Sequence, residues 1–282
     1  MSVTTLVAVG DDVEITGDPD ARYPLYSVSK TAVAAAVLLL VREGAVELDS
    51  VRRLLDHTSG VRDYGSLPEY HEAVRTRPGS AWEDDEFLAR TEAAGPTFGP
   101  GEGWAYSNTG YLMLRRLLDE HGGLAEFLPR LGLTGAMVAE RTDDLGAAVP
   151  APSALLLDGV DDVRDVYDPH WVGHRTLVAR AEDIVGFWRC LPAEMLDPHT
   201  FVPIGAEAPG FVRPSYGLGV MADPDSPLGT VVGHGGGGPG YATAVFAVPG
   251  ADAVAIVLAA DERYPAQRTA LELLTAAVRH SS

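Results

Sequence analysis

Strand-like sequence lies at both ends of this chain and helix-like sequence lies between them, an arrangement that few folds can accommodate. Val3–Val9 and Val13–Thr16 are β-branched runs joined by Gly-Asp-Asp, which is turn chemistry, so a hairpin is predicted at the start. In the last third, Tyr216–Met221, Thr230–Val232, Thr243–Val248 and Ala253–Ala260 are short β-like runs, the last two separated by the turn signal Pro249–Asp252. From about residue 51 to 205, helical stretches such as Leu112–Glu120 and Ala181–Cys190 alternate with Gly/Pro-rich loops, Gly95–Gly103 being the clearest. A helix from about Pro265 to Arg279 closes the chain. The fold class expected is α+β: one antiparallel sheet made from both chain ends and flanked by helices, with a mainly helical insertion. Residues 1–282 then form a single unit, with a sheet subdomain of 1–50 and 206–282 and a helical subdomain of 51–205. A site is expected in the cleft between sheet and insertion.

The segment from Ser27 to about Glu43, ended by Gly44, is apolar on nearly every face, the pattern of a helix buried in the centre of the molecule. It carries the chain's one lysine. Of 21 basic residues, 20 are Arg and only Lys30 is Lys, so any chemistry that needs a deprotonatable amine falls at position 30. Lys30 follows Ser27 by three residues, which puts both on one helical face beside the positive end of the helix dipole. A desolvated lysine that loses its proton near neutral pH could activate such a serine as a nucleophile. The same spacing also suits a serine that merely caps the helix, followed by an exposed lysine.

Composition excludes several classes. The 21 basic against 40 acidic residues leave a net charge of −19, with no footprint for nucleic acid or an anionic membrane. A P-loop cannot be written with this lysine. The single cysteine, Cys190, cannot form an internal disulfide, and no basic leader precedes the first apolar run, which together lead to an expectation of a cytoplasmic protein. The longest apolar run, Ala32 to Val41, is about half of what a bilayer needs. Gly233-x-Gly235-x-x-Gly238 matches the dinucleotide fingerprint in form, but strand-like sequence follows where that motif needs a helix. His170-x-x-x-His174 has metal-ligand spacing, yet Pro169 and Gly173 argue against a helix presenting both rings, and a loop near the mouth of the site is expected instead. No cofactor and no metal are therefore expected.

Three motifs follow in order: Ser27-Val-Ser-Lys30, Tyr106-Ser-Asn108 and His234-Gly-Gly236 within the run Gly233–Gly240, with Leu54-Leu-Asp-His-Thr-Ser-Gly60 between the first two. In these the chain resembles the serine β-lactamase-like hydrolases, in particular the class C β-lactamase, esterase and DD-peptidase branch, and the likeness runs over essentially its whole length. The resemblance implies a β-lactamase/penicillin-binding-protein-like fold and an acyl-enzyme on Ser27. It implies that Lys30 and Tyr106 share the proton work, with Tyr106 a general base held as phenolate or nearly so by Lys30. Asn108 would hold the substrate's acyl side and keep Lys30 aligned, and His234 would stand by Tyr106 and the leaving group. The N–H groups of Ser27 and Gly237 would form the oxyanion hole, and Gly235 and Gly236 would lie along the substrate. His57 is read as structural, in a stretch that in the relatives helps build the pocket's edge without doing chemistry.

The chain departs from its relatives at Gly235, where those that bind penicillin-like carboxylates carry a hydroxyl, and between Asp49 and Leu54, where they have a longer connection. The first departure weakens the case for β-lactam or DD-peptidase chemistry, and the second suggests a more open cleft. The function expected is a serine hydrolase of esterase or amidase type acting on a small ester or amide. The same acyl-enzyme could serve an acyltransferase or amide-forming enzyme with an amine or alcohol acceptor, and the fold could also persist as a catalytically silent binding module. Oligomeric state is left open.

Overall fold

The computed structural model describes residues 2–205, 208 and 210–280. Its strands are β1 (Val3–Val9), β2 (Asp12–Thr16), β3 (Tyr23–Pro24), β4 (Met137–Ala139), β5 (Thr176–Ala179), β6 (Val202–Pro203), β7 (Ser215–Tyr216), β8 (Met221–Asp223), β9 (Val231–Gly238), β10 (Tyr241–Val248) and β11 (Ala253–Ala259). The α-helices are α1 (Ser29–Arg42), α2 (Leu48–Leu55), α3 (Pro68–Thr76), α4 (Asp84–Ala93), α5 (Asn108–Asp119), α6 (Leu124–Phe127), α7 (Ala181–Arg189), α8 (Ala193–Leu196) and α9 (Ala266–His280). Among the described residues, eight strands form an antiparallel sheet in the order β2-β1-β11-β10-β9-β8-β7-β6. The N-terminal strand β1 runs beside the last strand, with Val3 opposite Ala259 and Val9 opposite Ala253, so the sheet is indeed closed by both chain ends.

Strands β10 and β11 are buried on both faces, and alternation along them shows why. Ala244, Phe246, Ala255 and Val257 meet Ala266, Ala270 and Leu274 of α9 on one side. Val245, Ile256 and Leu258 turn to the main core, which includes Val33 and Val37 of α1. Of the 14 residues of α1, 11 are buried, as its all-round apolar surface requires, and Gly44 beyond it takes φ +72°.

The middle of the chain is less helical than expected. Met137–Ala139 and Thr176–Ala179 pair with each other and with Tyr23–Pro24 in a second, three-stranded sheet, whose strands are too short to show a period in sequence. The expected boundary between residues 205 and 206 falls at residue 206, outside the described residues. Asp49–Leu54 lies within α2. No helix of the described residues is long and apolar enough to cross a membrane.

Candidate active site

Ser27 sits in a single 3-10 turn, Tyr26–Val28, that runs into α1. The residue before it, Tyr26, has φ +47°, a left-handed conformation that costs a bulky side chain about 1–3 kcal/mol. It is held there by three bonds: its N–H donates to Thr176 Oγ1 at 2.8 Å, its hydroxyl donates to the Pro239 carbonyl at 2.7 Å, and its own carbonyl lies 3.4 Å from His174 Nε2. The bend turns Ser27 out of the core toward a cleft of about 690 Å³ while Tyr26 and Val28 stay buried.

The turn rests directly on β9, which explains part of the glycine run there. A Cβ on Gly236 would stand 2.3 Å from the Leu25 carbonyl oxygen, and one on Gly238 would stand 2.4 Å from the Tyr26 ring. Glycine is what allows the serine-bearing backbone and the strand to approach.

Lys30, one turn into the helix, is fully buried. Its Nζ lies 3.1 Å from Ser27 Oγ, 2.7 Å from Asn108 Oδ1 and 3.3 Å from each ring nitrogen of His174, over the Tyr106 ring at 4.9 Å. This excludes the capping alternative: the N-cap of α1 is Val28, and Lys30 does not reach solvent. Burial without a carboxylate in contact disfavours the ammonium and pushes the Lys30 amine well below its ordinary range, with Asp63 opposing the shift from beyond Asn108.

Tyr106 and Asn108 arrive together for a local reason. Ser107 between them is extended (φ −140°, ψ 109°) and caps α5 by accepting the Gly110 N–H, so its two neighbours point the same way, toward Lys30. The Ser107 N–H donates to His57 Nδ1 at 3.2 Å, and the His57 ring lies under Tyr106 with centroids 4.5 Å apart. His57 is thus buried beneath the site, in a left-handed conformation of its own (φ +63°), and not at the cleft's edge. Asn108 gives both its N–H groups, backbone and side chain, to Asp63 Oδ1 at 2.9 and 3.0 Å. With Nδ2 on a carboxylate, Oδ1 must be the atom that faces Lys30.

The Tyr106 phenol stands near Ser27, but its protonation differs from the expected phenolate. Burial, followed by the nearby Tyr216, raises the Tyr106 phenol well above its usual value; the nearby Ser27 hydroxyl opposes this only in part. The reason is geometric, since Lys30 stands over the ring face and not against the oxygen. His234, on β9, is buried, with Nδ1 2.6 Å from the Gly235 carbonyl and Nε2 2.9 Å from the Tyr216 hydroxyl. A carbonyl only accepts, so Nδ1 carries the proton and Nε2 takes the Tyr216 O–H. Burial and the nearby Lys30 push the imidazole down to about 3 and keep it neutral.

Ser27, Asn108, Asp63, His174 and Gly237 all line the cleft. Gly235 and Gly236 do not; they line a separate groove of about 410 Å³ with Gln267 and Arg268, which Gly237 also borders. A Cβ on Gly235 would stand 1.9 Å from Nε2 of Gln267 on α9, so a hydroxyl side chain there requires the Gln267 side chain to swing aside. Two residues of the site escaped sequence reasoning. Asp63 is a lone acid just after the His-Thr-Ser-Gly stretch, and His174 carries no mark in the sequence beyond its spacing from His170 and its place in a loop expected near the mouth of the site. The structure separates that pair: His170 meets Glu140 at 3.2 Å on the surface, while His174 is buried beside Lys30.

The profile of the family described as Beta-lactamase matches residues 6–279. A D-aminopeptidase of Cereibacter sphaeroides is 25% identical over 287 residues, covering 93% of this chain and 54% of that protein. Penicillin-binding protein 4* of Bacillus subtilis is 25% identical over 268 residues, covering 79% of this chain and 57% of the relative. The chain thus spans about half the length of the curated relatives it matches. The structure of a D-stereospecific amidohydrolase from Streptomyces sp. superposes with a TM-score of 0.82 at 23% identity, over 97% of this chain and 93% of the other. The D-amino acid amidase from Ochrobactrum anthropi SV3 complexed with L-phenylalanine amide superposes with a TM-score of 0.78 at 21% identity, over 99% and 94%. At these identities the likeness is one of fold.

Proposed function

The chain belongs to the beta-lactamase family, and from that premise we propose that it is a serine hydrolase that cleaves a small amide or ester through an acyl-Ser27 intermediate. The observation that carries this reading is a buried lysine amine 3.1 Å from the serine hydroxyl with no carboxylate in contact. An amine that favours its neutral form can take the Ser27 proton as Oγ attacks the carbonyl carbon. The carbonyl oxygen, gaining charge, is received by the N–H groups of Ser27 and Gly237. Tyr106, protonated, gives its proton to the departing nitrogen or oxygen and is left to take one from the incoming water, while Lys30 returns its proton to Ser27 Oγ. Water then enters and the same groups act in reverse. His234 stays neutral throughout and holds Tyr216 in place behind Tyr106.

The cleft suits an apolar acyl group, being walled by Tyr26, Tyr64, Tyr70, Tyr167, Trp171 and Val172. Relatives named D-aminopeptidase and D-amino acid amidase support an amino acid amide as the substrate. Gly235, with no hydroxyl and Gln267 against it, favours such an amide over a β-lactam carboxylate. Ser27 is partly exposed, so water can reach the acyl-enzyme, which favours hydrolysis over transfer to an amine or alcohol. Treatment with a fluorophosphonate followed by intact-mass measurement tests the reading. One adduct on the wild type and none on Ser27→Ala is expected, along with ammonia release from phenylalanine amide by the wild type alone; labelling that survives in Ser27→Ala refutes it.

A further inference from the structure

His57 is buried beneath the site, and none of the steps above uses it. Asp56 closes α2, and His57 after it takes φ +63°, the left-handed position where helices commonly place glycine. Asp56 Oδ1 reaches across this residue to accept the N–H and the hydroxyl of Thr58, at 3.0 and 2.6 Å. The imidazole also leaves one polar atom unserved: Nε2 is buried without a hydrogen-bond partner, among the rings of Trp104, Tyr111 and Tyr216. A residue strained in its backbone and unsatisfied in its side chain is costly to keep, and such residues cluster at functional sites.

Its carbonyl and its Nδ1 both serve the segment that carries Tyr106. Residues 103–107 belong to no helix or strand. The Ala105 N–H donates to the His57 carbonyl at 3.1 Å, and the Ser107 N–H donates to His57 Nδ1 at 3.2 Å. A backbone N–H only donates, so Nδ1 is unprotonated and the proton of the neutral ring is on Nε2. Burial, followed by Lys30 and His234, pushes the imidazole well below its ordinary range, which keeps Nδ1 an acceptor. The backbone is thus gripped on both sides of Tyr106 by one residue, whose ring lies against the phenol ring with centroids 4.5 Å apart and planes inclined at 46°.

We propose that His57 is a positioning residue for Tyr106: it holds the residues on both sides of the tyrosine and so keeps the phenolic hydroxyl where it can give its proton to the leaving group. The inference rests on the reading of Ser27 as nucleophile and Tyr106 as the acid. In the step it serves, the C–N bond of the substrate breaks, its electron pair takes the Tyr106 proton as a new N–H bond, and the O–H pair stays on the tyrosine oxygen. Without Nδ1 the Ser107 N–H loses its acceptor and the segment is tied on one side alone, so the hydroxyl spends less time in line with the departing nitrogen. Attack by Ser27 continues, because Lys30 keeps its contacts with Ser27 and Asn108, and Asn108 keeps Asp63.

The test compares reactions that differ in what their leaving group needs. An amide nitrogen must be protonated as it departs, whereas p-nitrophenolate and fluoride leave without a proton. On folded protein, kcat/KM is measured for phenylalanine amide and for the p-nitrophenyl ester of phenylalanine, beside the second-order rate constant for labelling of Ser27 by a fluorophosphonate. His57→Gly, which keeps the left-handed backbone and deletes the ring, is expected to lose about 100-fold on the amide and less than about fivefold on the ester and the label. His57→Asn, whose Oδ1 can take the place of Nδ1 and whose backbone tolerates a positive φ, should stay within about tenfold of wild type on the amide. His57→Leu, which refills part of the ring's volume, gives the same comparison should the glycine variant not fold. An unchanged amide rate in the glycine or leucine variant, an equal fall on amide and ester, or an asparagine variant as slow as glycine overturns the proposal. Tyr106→Phe separates the two readings: if it cleaves the amide normally, the acid reading of Tyr106 fails, and if it shows the amide-selective loss while His57→Gly does not, only the role of His57 fails.

Discussion

Among the described residues two Lys/Arg side chains are buried, on helices that pack together, Lys30 on α1 and Arg115 on α5, and they are treated in opposite ways. The Arg115 guanidinium is paired with Asp84 and Asp119, and those carboxylates raise its pKa despite the cost of burial. Around Lys30 there are an amide oxygen, an imidazole nitrogen, a hydroxyl and two aromatic faces, and its amine is pushed down. A cation given carboxylates is locked on and serves structure; one denied them is left ready to exchange a proton. The first also serves the second, since Arg115 holds the Gly173 carbonyl next to His174.

The largest expected effect breaks the contrast at its active end. Lys30→Arg places at this position a guanidinium that keeps its proton, and amide turnover should fall by at least about 10³-fold while the protein still folds, as seen by circular dichroism. Asp63→Asn removes the carboxylate that fixes Asn108, which can then turn its N–H₂ toward Lys30. A loss of about 100-fold in kcat, with KM nearly unchanged, is expected in steady-state assays.

Stability sharpens the comparison from the other side. Arg115→Met should lower the unfolding free energy by about 2 kcal/mol, less than for a fully buried pair because Asp84 and Asp119 reach solvent, whereas Lys30→Met should stay within about 1 kcal/mol of wild type. Urea unfolding over a pH series adds a sign. Lys30 loses its proton in the folded state at lower pH than in the unfolded chain, so the unfolded state binds more protons between those two values. Wild-type stability therefore gains, on this account, up to about 1.4 kcal/mol per pH unit in that window, which closes near pH 10.4, and Lys30→Met should lack this component. Arg115 stays charged in both states and contributes no such slope.

The smallest effect concerns His234. An imidazole that titrates at about 3 is neutral throughout the working range, so the acid limb of kcat/KM should survive in His234→Gln. A limb near pH 6.5 that vanishes in this variant would restore the proton-relay role its motif position suggests.

What could be read before folding was whatever depends on neighbours in the chain. The terminal strands, the buried helix α1 and the spacing of Ser27 to Lys30 are local patterns, and the Tyr106-Ser-Asn108 and His234-Gly-Gly236 motifs lie in order along the sequence. Even the common orientation of Tyr106 and Asn108 follows from one extended residue between them. Asp63 and His174 were not legible in this way, because each meets its partner across a long stretch of folded chain and shares no period with it. The short strands of the second sheet failed for the same reason, their pairing being their only mark.

The chain's amino acids alone established that one amine exists, that it lies three residues from a serine, and that the helix bearing the amine must be buried. Which protons sit where was settled by folding. Lys30 is driven toward its neutral form, Tyr106 is kept a phenol and His234 an imidazole because desolvation, and the distance from Lys30 to the tyrosine oxygen, depend on what closes over each group from remote parts of the chain.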